Sequence, residues 1–327
     1  MKYGSVVGVS KPVSRVALGT MIITTREYEQ SCRLLDAAMK LGCSTLDTAY
    51  VYAGGESERA IGKWMKERNN REQVVVLTKG CHHNQDRKRV TPFDISADLH
   101  DSLARLQTSY VDIYLLHRDD TSVPVGPIVE ALNEHHRAGR IRAFGGSNWT
   151  HERMQQANDY AKSKNLVPFT ASSPNFSLAE QVNDPWGPGC VTISGPQQEG
   201  ARAWYRSANM PMFAYSSLAR GLLSGRVSRA NFETSKQQLD DACRNAYCHE
   251  VNFQRLDRVE QLAKEKGVTV PQLSMAWIMN QPLNAFALVG AANEQELAAT
   301  IAGAELKLSA EDCAWLDLKS ATRAAKG

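Results

Sequence analysis

The sequence predicts an α/β fold, a closed (β/α)8 barrel of the TIM type formed by residues 1–327 as a single domain. Short β-branched runs alternate with longer segments of helical periodicity along most of the chain, which is typical of βαβ units. Eight such runs can be counted, and eight strand–helix repeats favour closure into a barrel over an open sheet. A length of 327 residues, 43% of them hydrophobic, is enough for one large core.

Each predicted strand has an apolar centre, as expected for strands that a parallel barrel buries on both faces. The segments between them have the spacing of amphipathic helices. The eight predicted strands cover residues 14–19, 44–48, 73–79, 111–117, 141–147, 167–173, 210–216 and 285–290.

Helix signals fill the intervals between the strands. Residues 28–41 carry apolar side chains at helical spacing, and Gly42 follows as a stop. Residues 94–106 repeat the pattern after Pro92, which is typical of a helix start. Further helices are predicted over residues 251–267, and over residues 309–325 on the outside of the barrel.

Three segments do not fit the alternation. Residues 1–13 are predicted to form a hairpin that closes the amino-terminal end of the barrel. Residues 179–200 and 221–250 are predicted as long excursions on the carboxyl-terminal face, and whether they act as lids stays open. Excursions of this length inside a compact domain are commonly functional.

The charge balance points to a small-molecule partner. Lys and Arg number 38 against 35 Asp and Glu, a formal net charge of +3, and no long run of like charge occurs. This argues against a nucleic-acid or membrane surface. The sequence lacks a secretory signal pattern and an apolar stretch of membrane-spanning length, so we expect a cytoplasmic protein. Monomer and homo-oligomer both stay open.

Cysteine and histidine patterns give no reason to expect a metal. Seven cysteines without a C-x-x-C spacing indicate reduced thiols. The pairs His82-His83 and His135-His136 are adjacent in sequence, and adjacent side chains point apart on regular structure. We therefore expect these histidines to be solvated polar residues.

Ionisable side chains stand where three neighbouring strands end: Asp47 with Tyr50 or Tyr52, Lys79, and His117. An ammonium held by a carboxylate stabilises a phenolate and lowers a tyrosine pKa from about 10 toward neutral pH. A tyrosine hydroxyl and a histidine N–H aimed at a carbonyl oxygen supply the proton and stabilise the charge that hydride addition leaves there. Singly each residue is usually structural, but the combination at strand ends favours catalysis.

Several segments together resemble the aldo-keto reductase family. The resemblance covers nearly the whole chain, and its motifs are jointly specific although each alone is weak. They are LDTA at 46–49, YAGGESE at 52–58, TKG at 78–80, LLHR at 115–118, IRAFGGSN at 141–148 and AYSSLARG at 214–221.

The resemblance implies an NAD(P)-dependent interconversion of an aldehyde, ketone or sugar carbonyl with its alcohol. It assigns Tyr52 as the proton donor, Asp47 and Lys79 as the groups that tune it, and His117 as the residue that orients the carbonyl. Ser147 and Asn148 would hold the nicotinamide carboxamide, Tyr215 would stack on its ring, and the loop that follows would run along the pyrophosphate. The implied cofactor-binding residues are Gly19, Thr20, Met21, Asp47, Ser147, Asn148, Ser173, Tyr215, Ser216, Ser217, Leu218, Arg220, Gly290, Ala292, Asn293 and Glu296.

Two departures from the family pattern bear on the cofactor. Ser173 stands where the family usually offers a glutamine to the carboxamide. Ala292 and Glu296 stand where an arginine would hold the 2′-phosphate of NADP. A carboxylate suits a ribose hydroxyl and repels a phosphate, so NAD(H) is favoured over NADP(H) unless Arg220 or Arg226 reaches the phosphate.

The expected substrate is a small carbonyl compound or sugar. Trp186 could pack against a sugar or aromatic ring, and Tyr52, His117, Arg118 and Trp149 follow strands near the expected pocket. Two other activities stay open at this point. One is a Schiff-base aldolase using Lys79, and the other is a regulatory barrel that binds the cofactor without turnover.

Overall fold

Every predicted barrel strand is present in the computed structural model, which describes residues 1–323. The eight parallel strands pair in chain order, and the last pairs with the first to close the barrel. The predicted closed barrel is therefore confirmed. The barrel strands are β3 (Val16–Gly19), β4 (Thr45–Asp47), β5 (Val75–Gly80), β6 (Val111–Leu116), β7 (Ile141–Ser147), β8 (Ala171–Ser173), β9 (Met212–Ala214) and β10 (Ala285–Val289).

Strands β8 and β9 are shorter than predicted. They begin at Ala171 and Met212, whereas the sequence pattern suggested residues 167 and 210. Pro168 and Pro211 lie just before them, and proline has no N–H to donate to the strand ladder. The early residues of both predicted strands therefore lie in the preceding loops.

Helices surround the barrel at the predicted places. The helix expected over residues 94–106 begins earlier, at Pro92, with the Thr91 hydroxyl accepting a hydrogen bond from the Asp94 N–H at 3.3 Å. The helices are α1 (Tyr28–Lys40), α2 (Glu56–Arg68), α3 (Pro92–Leu106), α4 (Val125–Arg137), α5 (His151–Ser163), α6 (Glu199–Ser207), α7 (Phe232–Ser235), α8 (Asp241–Tyr247), α9 (Glu250–Lys266), α10 (Val270–Met279), α11 (Glu294–Glu305) and α12 (Ala310–Leu316).

The last helix, α12, is shorter than the predicted span of residues 309–325. It ends at Leu316, and Leu318 then adopts a left-handed φ of 60°, which a helix cannot continue through. Residues 324 and 325 of that prediction lie outside the described residues. Trp315 and Leu316 are buried against the barrel, as expected for a helix packing on its outside.

The amino-terminal segment forms the predicted hairpin. Strand β1 (Tyr3–Gly4) pairs with β2 (Val13–Ser14) in antiparallel register. Val6 and Val13 are buried in the same apolar cluster as Phe213 and Phe286, which point into the barrel. The hairpin therefore closes the amino-terminal end of the barrel, and the opposite end carries the polar strand termini.

Two apolar cores support this arrangement. One fills the barrel interior, and the larger one lies between the strands and the surrounding helices. Gly145 shows how closely the barrel wall packs, since a Cβ there would lie 1.7 Å from the Ala171 carbonyl oxygen on the neighbouring strand. Among residues 1–323, no helix is long and apolar enough to cross a membrane.

Candidate active site

The predicted catalytic residues meet at the carboxyl-terminal end of the barrel. Asp47 ends β4, Lys79 is the penultimate residue of β5, His117 follows β6, and Tyr52 lies in the turn after β4. All three strands are neighbours in the barrel, so their ends bring these side chains together.

Several non-glycine residues around this mouth have left-handed backbone conformations. Left-handed φ values are costly for side chains with a Cβ, and they concentrate at functional sites. The loops after β5, β7 and β9 are therefore held in particular shapes rather than merely connecting strands to helices. The residues are Cys81 (φ 62°), Asn148 (58°), Ser216 (53°), Ala219 (48°) and Arg220 (52°).

The Lys79 ammonium is the centre of the candidate catalytic cluster. Its Nζ donates to Asp47 Oδ1 at 2.5 Å, to the Thr48 carbonyl oxygen at 3.1 Å and to the Tyr52 hydroxyl at 3.3 Å. Lys79 is 2% exposed and Asp47 3%. Three acceptors satisfy the three N–H bonds of this buried cation, which fixes its distance from the phenol.

The ionisation of Tyr52 differs from the sequence-based prediction. The prediction of a phenol pKa lowered toward neutral pH was wrong, because burial raises the pKa of Tyr52 by more than the nearby Lys79 lowers it. Burial lowers the pKa of Lys79, but Asp47 and Tyr52 outweigh that effect and hold the pKa above its ordinary value. The phenol therefore keeps its proton at neutral pH, as a proton donor must.

His117 is held as a neutral imidazole. Burial, followed by the Lys79 charge, lowers the pKa of His117 well below its ordinary value. Its Nδ1 is buried without a hydrogen-bond partner among residues 1–323. A proton on Nδ1 would be an unsatisfied buried donor, so the tautomer with Nε2–H is favoured. The ring lies edge-on to Tyr52, with their centroids 5.9 Å apart.

The predicted solvation of the paired histidines was wrong for His135, whereas His82, His83 and His136 are half-buried. His135 is 5% exposed, and its Nε2 lies 2.9 Å from the Ser96 hydroxyl. His82 is half-buried beside His117, with ring centroids 4.8 Å apart, and the buried Nε2 of His83 has no partner among the described residues. His82 belongs to the active-site mouth and was missed; its position just past Lys79 was the available signal.

No cluster of three or more potential metal ligands occurs among residues 1–323.

The loop after β3 lies next to Asp47. Thr20 is fully buried, and its hydroxyl donates to the Asp47 carbonyl oxygen at 3.0 Å. Gly19 pairs with Asp47 in the strand ladder, and Met21 beyond them is 59% exposed. This loop therefore supports Asp47 from below and presents an apolar side chain at the mouth.

Asn148 links the loops around the mouth. Its Nδ2 donates to the His117 carbonyl oxygen at 3.1 Å. Its Oδ1 accepts from the Val191 N–H at 3.1 Å and from the Tyr215 hydroxyl at 2.7 Å. Ser147 beside it donates to the Ser173 carbonyl oxygen at 3.1 Å. The polar groups of Ser147 and Asn148, the two residues expected to hold a carboxamide, therefore lie at the mouth, where they form hydrogen bonds with neighbouring segments of the protein.

Ser173 does not take the place of the glutamine that it replaces. Its hydroxyl donates to the Phe213 carbonyl oxygen at 2.8 Å, and the residue is fully buried. A fully buried side chain has no surface with which to contact a carboxamide. The prediction that Ser173 binds the cofactor through its side chain is therefore not supported by its position.

The loop after β9 has a fixed shape. Ser217 is buried and donates to the Leu288 carbonyl oxygen at 2.9 Å. Arg220 forms an ion pair with Asp240 and lies over the Trp186 ring, 4.5 Å from its centroid. Ser216 and Leu218 in the same loop are half-buried. The two excursions of the sequence, residues 179–200 and 221–250, therefore both contact Arg220.

The segment after β10 is acidic at the start of α11. Glu296 Oε2 accepts a hydrogen bond from the Ala292 N–H at 3.0 Å, and Asn293 Oδ1 accepts from the Glu296 N–H at 2.9 Å. Gly290 is exposed. Lys40 on α1, which the sequence did not single out, lies 3.7 Å from Glu294.

The residues expected to bind substrate lie in different environments. Trp186 is 48% exposed, with its ring centroid 6.1 Å from that of Tyr215. Arg118 is 8% exposed and donates from Nη1 to the Gly189 carbonyl oxygen at 2.8 Å. Trp149 is 1% exposed and packs on Phe169, so its predicted contact with substrate is not supported.

Comparisons with known proteins agree with this geometry. The family model "Aldo/keto reductase family" matches residues 15–321. The chain is 30% identical to the aldo-keto reductase YhdN of Bacillus subtilis, over 95% of this chain and 91% of that protein. It is 27% identical to the aryl-alcohol dehydrogenase GME11368 of Pestalotiopsis microspora, over 87% and 71%.

Two solved structures share the fold. The thermostable aldo-keto reductase Tm1743, solved with the inhibitor epalrestat, superposes with a TM-score of 0.75 at 24% identity, covering 98% of this chain and all of that one. The glycerol dehydrogenase AKR11B4 of Gluconobacter oxydans gives 0.75 at 24% identity, covering 96% and 93%. The regulatory and aldolase alternatives find no support in these comparisons. The chain belongs to the aldo/keto reductase family and is an NAD(P)-dependent oxidoreductase of carbonyl compounds and their alcohols.

Proposed function

We propose that Tyr52 is the general acid of carbonyl reduction and that Lys79, Asp47 and His117 make it one. The observation that carries this proposal is the buried Lys79 ammonium, 3.3 Å from the Tyr52 hydroxyl and 2.5 Å from Asp47. A cation at that distance stabilises the phenolate that remains after the proton has left. If Lys79 and Asp47 were only a structural ion pair, the Tyr52 hydroxyl would not be needed for turnover.

In the reducing direction, the substrate oxygen accepts hydrogen bonds from the His117 Nε2–H and from the Tyr52 hydroxyl. A nicotinamide cofactor held at the mouth would supply the hydride that the carbonyl carbon accepts. As charge develops on the oxygen, Tyr52 transfers its proton to it, and the phenolate remains next to Lys79. In the oxidising direction, Tyr52 takes the alcohol proton back. Asp47 keeps the ammonium in place throughout.

The mouth offers groups that fit the cofactor. The Asn148 amide at the rim matches a carboxamide, and the half-buried Tyr215 ring beside it offers a flat face to an aromatic ring. Asn148 and Tyr215 would hold the nicotinamide end, and residues 216–220 would lie along the pyrophosphate. Ser147 is 1% exposed and donates to the Ser173 carbonyl oxygen, so it has no surface for the cofactor. Because Ser173 is fully buried, we assign the carboxamide contacts to Asn148 and leave Ser173 out.

We further propose that NAD(H) is the preferred cofactor. Glu296 lies at the Ala292 amide, where a 2′-phosphate would need donors and positive charge. A phosphate carries a charge of roughly −1.5 to −2, so a carboxylate in this place repels it, whereas it can accept a hydrogen bond from a ribose hydroxyl. Arg220 is engaged by Asp240, which weakens the case for its reaching the phosphate.

The test has two stages. Titration with NADH and NADPH, followed by quenching of tryptophan fluorescence, gives both dissociation constants. Cofactor absorbance is then followed with a panel of aldoses, short aldehydes and aromatic aldehydes. We expect turnover with NADH at least equal to that with NADPH. A strong preference for NADPH would refute the charge argument alone, and binding without any turnover would refute the assigned reaction. Cell fractionation tests the predicted cytoplasmic location.

A further inference from the structure

Arg118 is a buried cation without a carboxylate partner within residues 1–323. Buried charges in proteins are nearly always paired, because removing an ion from water is costly. Arg118 has the burial of the paired arginines but lacks their ion pair. The arginines less than a tenth exposed are Arg118 (8%), Arg153 (9%, 3.1 Å from Asp119), Arg202 (6%, 2.8 Å from Glu199) and Arg255 (2%, 3.4 Å from Asp317).

Only one nitrogen of the Arg118 guanidinium is used within the described chain. Nη1 donates to the Gly189 carbonyl oxygen at 2.8 Å and contacts Cys190 Sγ at 3.2 Å. Nε and Nη2 form no hydrogen bond with residues 1–323. Neither nitrogen is among the fully buried polar atoms that lack a partner, so both keep some exposed surface. In Arg202 the same pair, Nε and Nη2, holds Glu199 at 3.2 and 2.8 Å. Arg118 thus presents an unused carboxylate fork that retains access to solvent.

This fork lies at the active-site mouth. Arg118 follows His117 in the chain, and its Nη1 holds the loop that also reaches Asn148 through the Val191 N–H. Burial lowers the pKa values of His82 and His83, and the Arg118 charge lowers them further. The rings of His82 and His83 beside Arg118 are therefore neutral, and the adjacent Asp119 carboxylate pairs with Arg153 instead of Arg118.

The pyrophosphate of the cofactor does not fit as the missing partner. The loops assigned to it follow β9 and β10, which stand three and four strands away from β6 around the barrel. The substrate, by contrast, must approach His117, and Arg118 lies close enough for its charge to help lower the pKa of His117. An anion at the fork would therefore belong to the substrate.

We propose that the Nε–Nη2 edge of Arg118 binds a carboxylate of the substrate, so that the preferred substrates are carbonyl compounds carrying a carboxylate. The inference rests on the proposed function, because it assigns the part of the substrate that does not react. A planar fork with two parallel donors matches the two oxygens of a carboxylate, and no carboxylate of residues 1–323 forms an ion pair with it. Uronic acids and carboxylated aldehydes belong to this class.

The test compares two aldehydes of nearly the same shape that differ in charge, 4-carboxybenzaldehyde and 4-carbamoylbenzaldehyde, with cofactor in excess. A charge-assisted bidentate contact predicts a kcat/KM about 10- to 100-fold higher for the acid. D-Glucuronate and D-glucose form a second pair in the sugar series. Raising the ionic strength should weaken the preference only slightly, since Arg118 is 8% exposed and a largely buried charge is screened less than a surface charge.

Variants separate the fork from the charge. Arg118→Met should bring the acid-to-amide ratio of kcat/KM close to one, and Arg118→Lys, which keeps the charge but loses the fork, should give an intermediate ratio. Lys88→Gln is the matched control, because Lys88 is a 54% exposed cation nearby on the same rim, paired with Asp120. It should change the ratio by less than about twofold.

A second measurement does not depend on turnover. Calorimetric titration of the cofactor-loaded protein should show benzoate binding at least about tenfold more tightly than benzamide, and Arg118→Met should remove that difference. Reduction of both aldehydes without a preference for the acid would overturn the inference and leave the proposed function standing. If neither aldehyde is reduced, the proposed function fails, and equal binding of benzoate and benzamide would then overturn the inference separately.

Discussion

The two sides of the barrel mouth differ in what their polar side chains contact. At the ends of β4 and β5, the proposed catalytic groups meet one another, with Lys79 donating to both Asp47 and Tyr52. At the ends of β7 and β9, the groups assigned to the cofactor contact the protein's own excursions, as Arg220 does with Asp240. The barrel strands bring the groups of the catalytic side together, whereas the groups of the cofactor side also contact the long excursions, residues 179–200 and 221–250.

This difference separates two kinds of mutational effect. Substitutions on the catalytic side should lower kcat and leave the dissociation constant of the cofactor nearly unchanged, because they act on the reacting oxygen. Substitutions on the cofactor side should change the cofactor dissociation constant, because each group there exchanges an internal partner for a ligand. The following predictions test this separation, from the largest expected effect to the smallest.

Removing the phenol hydroxyl should have the largest effect. Tyr52→Phe is expected to lower kcat about 10³-fold, because the developing alkoxide loses its proton donor, and to change NADH affinity by less than about threefold. Stopped-flow or steady-state absorbance and fluorescence titration measure the two effects. Tyr50→Phe is the matched control, since the Tyr50 hydroxyl contacts Asp101 at 3.3 Å. Retained turnover in Tyr52→Phe would remove Tyr52 as the donor.

Lys79→Met should lower kcat about 100-fold and change its pH dependence. Burial raises the pKa of Tyr52 and Lys79 opposes that rise, so loss of the ammonium raises the pKa further. Alcohol oxidation needs the phenolate as base, and its increase with pH should therefore move to higher pH, while reduction at neutral pH keeps a protonated phenol.

The pH profile of kcat for alcohol oxidation measures this shift. Lys63→Met serves as the control, because Lys63 is 51% exposed on α2 and pairs with Glu67. A profile that moves to lower pH in Lys79→Met, or does not move, would show that Lys79 does not act on the phenol.

The sequence predicted the positions of side chains on the strands better than those of side chains in the loops, for a physical reason. Asp47 and Lys79 lie within strands, and the pairing of those strands alone fixes where the two side chains lie in the barrel. His82 and Trp149 lie beyond strand ends, where backbone angles of the loop decide the direction of the side chain. Cys81 has a left-handed φ of 62°, and the next residue, His82, packs its ring against His117. The sequence shows that His82 lies just past Lys79, but it does not show this backbone angle.

The strands show the same limit. All eight strands were predicted because each has its own apolar run. The later start of β8, after Pro168, depends on which backbone N–H groups must donate to the neighbouring strands, and proline has none to donate. Burial of Ser173 likewise follows from its contact with the Phe213 carbonyl on the next strand. Long-range pairing of this kind is not visible in the residues themselves.

On the cofactor side, charge at the start of α11 should decide between NADH and NADPH. The double variant Ala292→Arg with Glu296→Gln adds one positive charge and removes one negative charge where the 2′-phosphate would lie. The ratio of dissociation constants should move toward NADPH by about 10- to 30-fold, measured by fluorescence titration. Glutamine keeps an oxygen to accept the Ala292 N–H bond.

Glu294→Gln is the control for this variant, because Glu294 lies in the same exposed segment and pairs with Lys40 at 3.7 Å. It should move the ratio by less than about twofold. An unchanged ratio in the double variant would show that the 2′ position of the ribose lies elsewhere.

The smallest expected effect concerns the ion pair between Arg220 and Asp240. If the pyrophosphate forms an ion pair with Arg220, it competes with the Asp240 carboxylate for that side chain. Asp240→Asn should then tighten NADH binding by about threefold. Asparagine remains a good helix N-cap and keeps the acceptor for the Cys243 N–H, which lies 2.7 Å from Asp240 Oδ1. Asp241→Asn controls for the loss of one negative charge, because Asp241 is 97% exposed and pairs with Arg244 instead. Weaker NADH binding in Asp240→Asn would mean that the ion pair holds Arg220 in its binding position, and the two sides of the mouth would then both be assembled by internal contacts.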